Sequence, residues 1–291
     1  MKFTNAHLLP TDFLNVLVND VRRPEKGLLH VTELIGPPLP RILAMTHWEE
    51  LEQDIGDMLW LLLGKGIHKA LEGGAPEGSL SEYNIKERWA GTLVTGTFDR
   101  WYQKRIRDWK VTSVFSFFLG DKPEWTAQLN TYAALCESVG LPVDALTINA
   151  ILRDHMKSRS KSDSDYPVIP FQAVDVPLWV PSYTLTFIKD RIARHQAAEV
   201  AMDAPCCSDA DRWARPTTFA VIKKGQKRAK RVLHTFKDAE TWAKNNAAEW
   251  KVDIVERPGA YIKCRDYCIS RAVCPHNPYR GQEPTEEEGA A

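Results

Sequence analysis

Residues 87–155 constrain the fold of this chain more than any other stretch. Two β-prone runs, ERWAGTLVTGTFDRWYQ (87–103) and RIRDWKVTSVFSF (105–117), are separated by a short polar link at 103–105. Branched and aromatic residues of this kind favour extended backbone, and so short a link favours a hairpin. GDKP (120–123) breaks the pattern, and EWTAQLNTYAALCESVG (124–140) reads as a helix ending at Gly140. ALTINAILRDH (145–155) reads as a further strand. Strands interleaved with a helix predict an α/β protein.

The flanks are less regular. Residues 1–45 read as Pro-rich and irregular, with PPLP (37–40) marking a non-helical bend. His47 to about Glu72 reads as one helix interrupted by Gly64 and Gly66, followed by the loop GGAPEGS (73–79). Beyond a polar loop at 157–165, FQAVDVPLWV (171–180) reads as a strand and residues 182–200 as a helix. A short helix is expected near 236–250 and a strand near 252–256. The expected boundaries are a core over 1–200, an appendage over 201–280 and a disordered tail over 281–291. A chain of 291 residues can bury a core without disulfides. It holds no run approaching ~18 apolar residues. Its first twenty residues lack a signal-peptide pattern. A cytoplasmic chain with no membrane partner is therefore expected.

Two constellations carry chemistry. In GTFDRWYQKRIRDWKVTS (96–113), Asp108 and Lys110 share a strand face, and the hairpin lets Asp99 approach them. Two carboxylates beside a lysine suit a hard divalent cation, and acidic residues within an apolar strand need a reason to be there. The second constellation is KCRDYCISRAVCPHNP (263–278), where Cys264, Cys268 and Cys274 suit a tetrahedral metal or an iron–sulfur cluster. A fourth thiolate has to come from CCSDADRW (206–213), with Cys207 preferred to Cys206; Cys136 reads as a buried core thiol. Zinc is the alternative occupant.

The net charge is zero, with 38 Lys+Arg against 38 Asp+Glu, which at first counts against a nucleic-acid partner. The balance hides a pattern. KKGQKRAKR (223–231) concentrates Lys223, Lys224, Lys227, Arg228, Lys230 and Arg231 as a candidate DNA-binding patch, and KSRSKS (157–162) is a second basic loop. Seven tryptophans between Trp101 and Trp250 offer stacking faces, core packing being their commoner use.

The strings GTFD (96–99), DWKVTS (108–113) and QLNTYAAL (128–135) resemble the PD-(D/E)xK nuclease superfamily, in particular its RecB-like exonuclease branch, which includes CRISPR-associated and phage enzymes. The resemblance covers about residues 60–155 and reaches 274 through the cysteines. It implies a restriction-endonuclease-like core, a mixed central sheet flanked by helices, with a cysteine-cluster appendage. It also implies that His68, Asp99, Asp108 and the Trp109 carbonyl bind Mg²⁺ or Mn²⁺. Lys110 would orient or activate water, while Gln128 and Tyr132 contact DNA or brace the site. Glu87 is similar to an acidic residue of some members. Relatives of the iron–sulfur type hold a [4Fe–4S] cluster on a similar C-terminal trio, but their fourth cysteine commonly lies near the N-terminus, and this chain has none before Cys136.

The expectation is a metal-dependent DNA exonuclease of recombination, repair or DNA processing. It would act on single strands or duplex ends, with a helicase or annealing protein as a possible partner. A phage or prophage setting would put it in the host cytoplasm. A catalytically inactive DNA- or protein-binding module, or a cluster-stabilised scaffold, are the competing classes.

Overall fold

The computed structural model describes residues 1–19, 21–118 and 122–282, and the chain divides into two compact units, Met1–Ala204 and Pro205–Ala291. All but the first two residues of the expected tail at 281–291 lie outside the described residues.

The first unit begins with β1 (Lys2–Thr4), α1 (Thr11–Val18), β2 (Leu28–His30), α2 (Val31–Ile35), α3 (Pro38–Thr46) and β3 (Glu52–Asp54). Then come α4 (Leu59–Gly73), β4 (Leu80–Trp89), β5 (Thr92–Tyr102), β6 (Arg105–Thr112) and α5 (Val114–Phe118). It ends with α6 (Pro123–Ser138), β7 (Ala145–Leu152), β8 (Phe171–Val176) and α7 (Pro181–Ala201). Six strands make a mixed sheet in the order β2-β5-β6-β7-β8, with β4 paired to β5. β6 and β7 run parallel, while β4–β5, β5–β6 and β7–β8 are antiparallel. Helices flank this sheet, which makes the unit mixed α/β.

The core lies between the sheet and α6 and α7. Phe98, Ile106 and Leu146 of the sheet meet Leu129 and Leu135 of α6 and Ile188 of α7 in one buried cluster. The contact is close at Gly96. A Cβ there would come within 2.7 Å of the Val31 side chain and 2.8 Å of Tyr132 and Leu135, so only glycine fits without displacement. A polar seam ties α7 to α2 and α3. Arg41 is ion-paired with Glu199 at 2.7 Å, and Arg191 donates to the carbonyls of Leu34, Ile35 and Gly36. His195 is fully buried beside them; its burial, then the charges of Arg41 and Arg191, hold its pKa down at about 4.

Several local expectations are corrected. The run 87–103 is two strands, because Ala90 (φ 47°) and Gly91 (φ 82°) form a tight reversal with Trp89 opposite Thr92. The expected hairpin at 103–105 is present, with Gln103 and Lys104 both left-handed. The second run stops at Thr112 and gives way to α5. Residues 47–72 are not one helix: the Asp54 carboxylate accepts from the Ala6 and Gly56 amides and from Thr4 Oγ1, pinning an extended segment before α4. PPLP opens helix α3 rather than a bend, since proline at the first helical turn sacrifices no hydrogen bond. Residues 1–45 accordingly carry regular elements.

The second unit contains β9 (Ala214–Arg215), β10 (Thr218–Lys223), β11 (Ala229–Leu233), α8 (Phe236–Asn245), β12 (Val252–Arg257) and β13 (Ala260–Tyr261). β11-β10-β12 is an antiparallel sheet, and α8 packs against it through the buried Ala239, its start capped by Thr235 accepting from the Asp238 amide. Among the described residues, no helix is long and apolar enough to cross a membrane.

Candidate functional site

The geometry of the first site comes from a gap in the ladder of β5. On one edge, β2 takes Leu93–Thr95 and β6 takes Arg100–Tyr102, leaving Gly96–Asp99 unpaired on that edge among the described residues, while the other edge pairs with β4. β6 has turned away to pair with β7. At the end of this notch, Asp99 Oδ2 accepts from the Trp109 amide at 2.6 Å, standing in for the missing strand carbonyl.

Helix α4 brings His68 to the same place. Its Nδ1 lies 3.2 Å from Glu82 Oε1 and 3.6 Å from Asp99 Oδ1, and its Nε2 lies 3.2 Å from the Trp109 carbonyl. Ligand atoms of His68, Glu82 and Asp99 all fall within 4.8 Å of one another. The hydrogen bond that His68 donates to Glu82, with Asp99 assisting against burial, raises the His68 pKa to about 9. Burial, then the neighbouring Asp108 charge, pushes Asp99 up to about 7.

Asp108 and Lys110 share a face of β6, as their spacing predicts, and look toward α6. Lys110 Nζ is 2.7 Å from Asp108 Oδ2 and donates to Gln128 Oε1 at 3.2 Å; Gln128 Nε2 lies 3.0 Å from the Tyr132 hydroxyl. Asp108 is almost wholly buried, and burial raises its pKa despite the lysine. Its Oδ2 is held in the ion pair with the Lys110 ammonium.

These features fit a hard divalent cation. Two carboxylates gather at one nitrogen of the His68 imidazole, a backbone carbonyl lies at its other nitrogen, and the Asp108 charge disfavours ionised Asp99. The three-residue cluster nevertheless differs from the set expected from sequence. Glu82 joins His68 and Asp99, whereas Asp108 points to Lys110.

Glu87 is not the acidic partner. It lies opposite Val94, and its carboxylate accepts from the Arg88 amide. The signal for Glu82 was the Ala90–Gly91 turn. Counting back from Trp89 opposite Thr92 puts position 82 across from Asp99, between the pairs Ser81–Arg100 and Tyr83–Phe98. Glu82 has φ 47°, a left-handed backbone that is rare for glutamate inside a strand and re-aims its side chain.

The thiol site lies within the second unit. β9 pairs with β13, and the Lys263 amide donates to the Arg212 carbonyl at 3.1 Å, drawing 206–213 alongside 261–274. Burial and the nearby Asp211, Cys268, Cys206 and Cys264 push the Cys207 thiol up to about 12. Burial also raises Cys268 and Cys274, both of which feel Cys264. Among the described residues these thiols do not form a group of three donors within 4.8 Å of one another, as His68, Glu82 and Asp99 do. Cys136 is buried in the core cluster of the first unit, its thiol raised to about 12 by burial.

The basic run forms the turn of the β10–β11 hairpin. Lys224, Lys227, Arg228, Lys230 and Arg231 are exposed, Lys223 is half-buried, and Lys224 lies 3.7 Å from Asp253.

No protein-family model matches the chain, and no curated protein matches it. A solved structure described as SSO0001 is 16% identical, covering 63% of this chain and 82% of its own with a TM-score of 0.42. A score that low carries no argument about fold or function.

Proposed function

We propose that the first unit is a metal-dependent deoxyribonuclease of the restriction-endonuclease-like, RecB-like type, acting as an exonuclease on DNA ends. The observation that carries this reading is the meeting of His68, Glu82 and Asp99 at the β5 notch beside the buried Asp108–Lys110 ion pair.

His68, Glu82, Asp99 and the Trp109 carbonyl would hold Mg²⁺ or Mn²⁺, with Asp108 alongside. Such a cation, when bound, supplies polarisation of a phosphoryl oxygen and a lower pKa for water. Lys110 holds a positive charge on the α6 side of β6. There it orients the attacking water and offsets charge developing on the phosphorus oxygens. Water oxygen forms the new P–O bond and gives up a proton to solvent, the bridging P–O bond breaks, and the departing oxygen takes a proton from solvent and leaves as a hydroxyl. Gln128 keeps the lysine in place, and Tyr132 braces Gln128. The basic hairpin of the second unit supplies sequence-independent phosphate contacts. Its thiols hold a [4Fe–4S] cluster, zinc being the alternative.

End-labelled single- and double-stranded DNA, incubated with and without Mg²⁺ or Mn²⁺, tests the reading. Wild-type protein is expected to shorten DNA only with the cation. Asp108→Ala and Lys110→Ala are each expected to lower the rate by about 10²–10³-fold, the cost of removing a charge-stabilising group. Cation-independent cleavage, or variants that cut at the wild-type rate, would sink it.

A further inference from the structure

Beside the thiol segments, two aromatic side chains remain largely in solvent. Trp213 is 47% exposed and Tyr267 67%, yet their rings meet at a centroid distance of 5.3 Å and a tilt of 57°. Lys263 Nζ lies 5.5 Å from the Trp213 ring centre, and no carboxylate pairs with it among the described residues. The neighbouring acidic residue Asp266 is occupied by Arg265.

The backbone exposes the indole at some cost. Trp213 has φ 53°, a left-handed conformation unfavourable for so bulky a residue. Its amide donates to the Ala210 carbonyl at 3.1 Å, and its carbonyl accepts from the Ile262 amide at 3.4 Å. Those bonds hold the strained turn in register with the segment that carries Tyr267. The adjacent Tyr261, by contrast, is covered by the Arg212 guanidinium at 3.4 Å. The stacked Trp242 and Trp250 are only half-exposed, as rings that fill a packed corner should be. Strain that leaves two large rings in water is a feature of binding sites rather than of cores.

We infer that Trp213 and Tyr267 form a stacking platform for the bases of single-stranded DNA, with Lys263 facing the phosphate backbone. A tilted aromatic pair accepts any base by its free π-face, and the Lys263 ammonium over the Trp213 ring, without a carboxylate partner among the described residues, complements the adjacent phosphate. This inference rests on the nuclease reading, to which it adds a grip on the unpaired strand.

The test uses the full chain without divalent cation, so that binding is read without cleavage. The probe is a fluorescein-labelled thymidine 12-mer, with a blunt duplex of the same length as control. Wild-type protein is expected to bind the 12-mer. Tyr267→Ala and Trp213→Ala are each expected to weaken that binding about 10-fold with an unchanged salt slope, because a stacked base is lost and no phosphate contact is. Tyr267→Phe retains the affinity, and duplex binding stays within about 2-fold. As a readout that needs no variant, a 12-mer of 5-iododeoxyuridine photocrosslinks to Trp213 or Tyr267 in wild-type protein. Unchanged 12-mer affinity in Tyr267→Ala, or crosslinks confined to other residues, overturns the platform. Cation-dependent cleavage by wild-type protein is scored separately, so the platform can fail while the nuclease reading stands, and the reverse.

Discussion

Asp99 and Asp108 stand on long strands whose neighbours Phe98 and Ile106 are locked into the sheet–helix core. Cys264, Cys268 and Cys274 stand on a segment whose one ladder, among the described residues, is the two-residue β9–β13 pair. The difference lies in what holds each set of donors. The acidic site is carved into a notch that packing maintains, so its groups stay together whatever ion is present. The thiol segments bury little apolar surface of their own, so an inorganic group bound there, as proposed, would act as part of the folding free energy.

The largest expected effect breaks the second half of that comparison. Cys268→Ser should abolish bound iron or zinc and leave residues 205–282 open to limited proteolysis, because a structural site of this kind contributes on the order of 10 kcal/mol. The first unit should stay protease-resistant. Brown protein with broad visible absorption supports iron–sulfur, while colourless protein with stoichiometric zinc replaces it with the alternative. Resistance of 205–282 in the metal-free variant would remove the contrast between the two sites.

Stability of the first unit should instead follow its packing. His195 has a folded pKa of about 4, below the ordinary histidine value near 6.5. The unfolded chain therefore takes up the proton first. The contribution of neutral His195 is complete above about 6.5 and is lost as pH falls toward about 4, at most about 3 kcal/mol. His195→Leu should flatten that stretch of a stability-versus-pH profile measured by urea unfolding. An unchanged slope would assign the acid sensitivity to other groups.

Gly96→Ala should cost about 1–3 kcal/mol by overpacking against Val31, Tyr132 and Leu135, seen as a lower urea midpoint with or without cation. A neutral result would show that α6 can move away from β5, and the packing account of the notch would fail. The smallest effect sharpens the acidic site itself. Mn²⁺ should raise the thermal midpoint of the wild type, and Glu82→Gln should weaken that response by about 10-fold in affinity, about 1.4 kcal/mol. An identical Mn²⁺ titration in the variant would return Glu82 to a purely structural role.

Part of the site could be read along the chain because it depends on local geometry. Asp108 and Lys110 share a face because strand side chains alternate, and Gln128 and Tyr132 stack because a helix repeats near four residues. Their observed chain of contacts from β6 to α6 follows directly. Glu82 was hidden for the opposite reason. Its partner is set by where the β4–β5 turn falls, and ERWAGTLVTGTFDRWYQ reads as one run unless Ala90–Gly91 is seen as the reversal. The helix expected over 47–72 failed similarly, through contacts of Asp54 with residues some fifty positions earlier.

By itself, then, the sequence determined the α/β class of the first unit, the shared face of Asp108 and Lys110, and the crowding of five cysteines into the last ninety residues. Those follow from backbone periodicity and spacing. The tertiary structure decided that β6 parts from β5 at Asp99, that His68 and Glu82 meet Asp99 there, and that 206–213 lies beside 261–274. Each is a contact between distant segments. Register and packing select such contacts only once the whole chain has somewhere to bury its apolar faces.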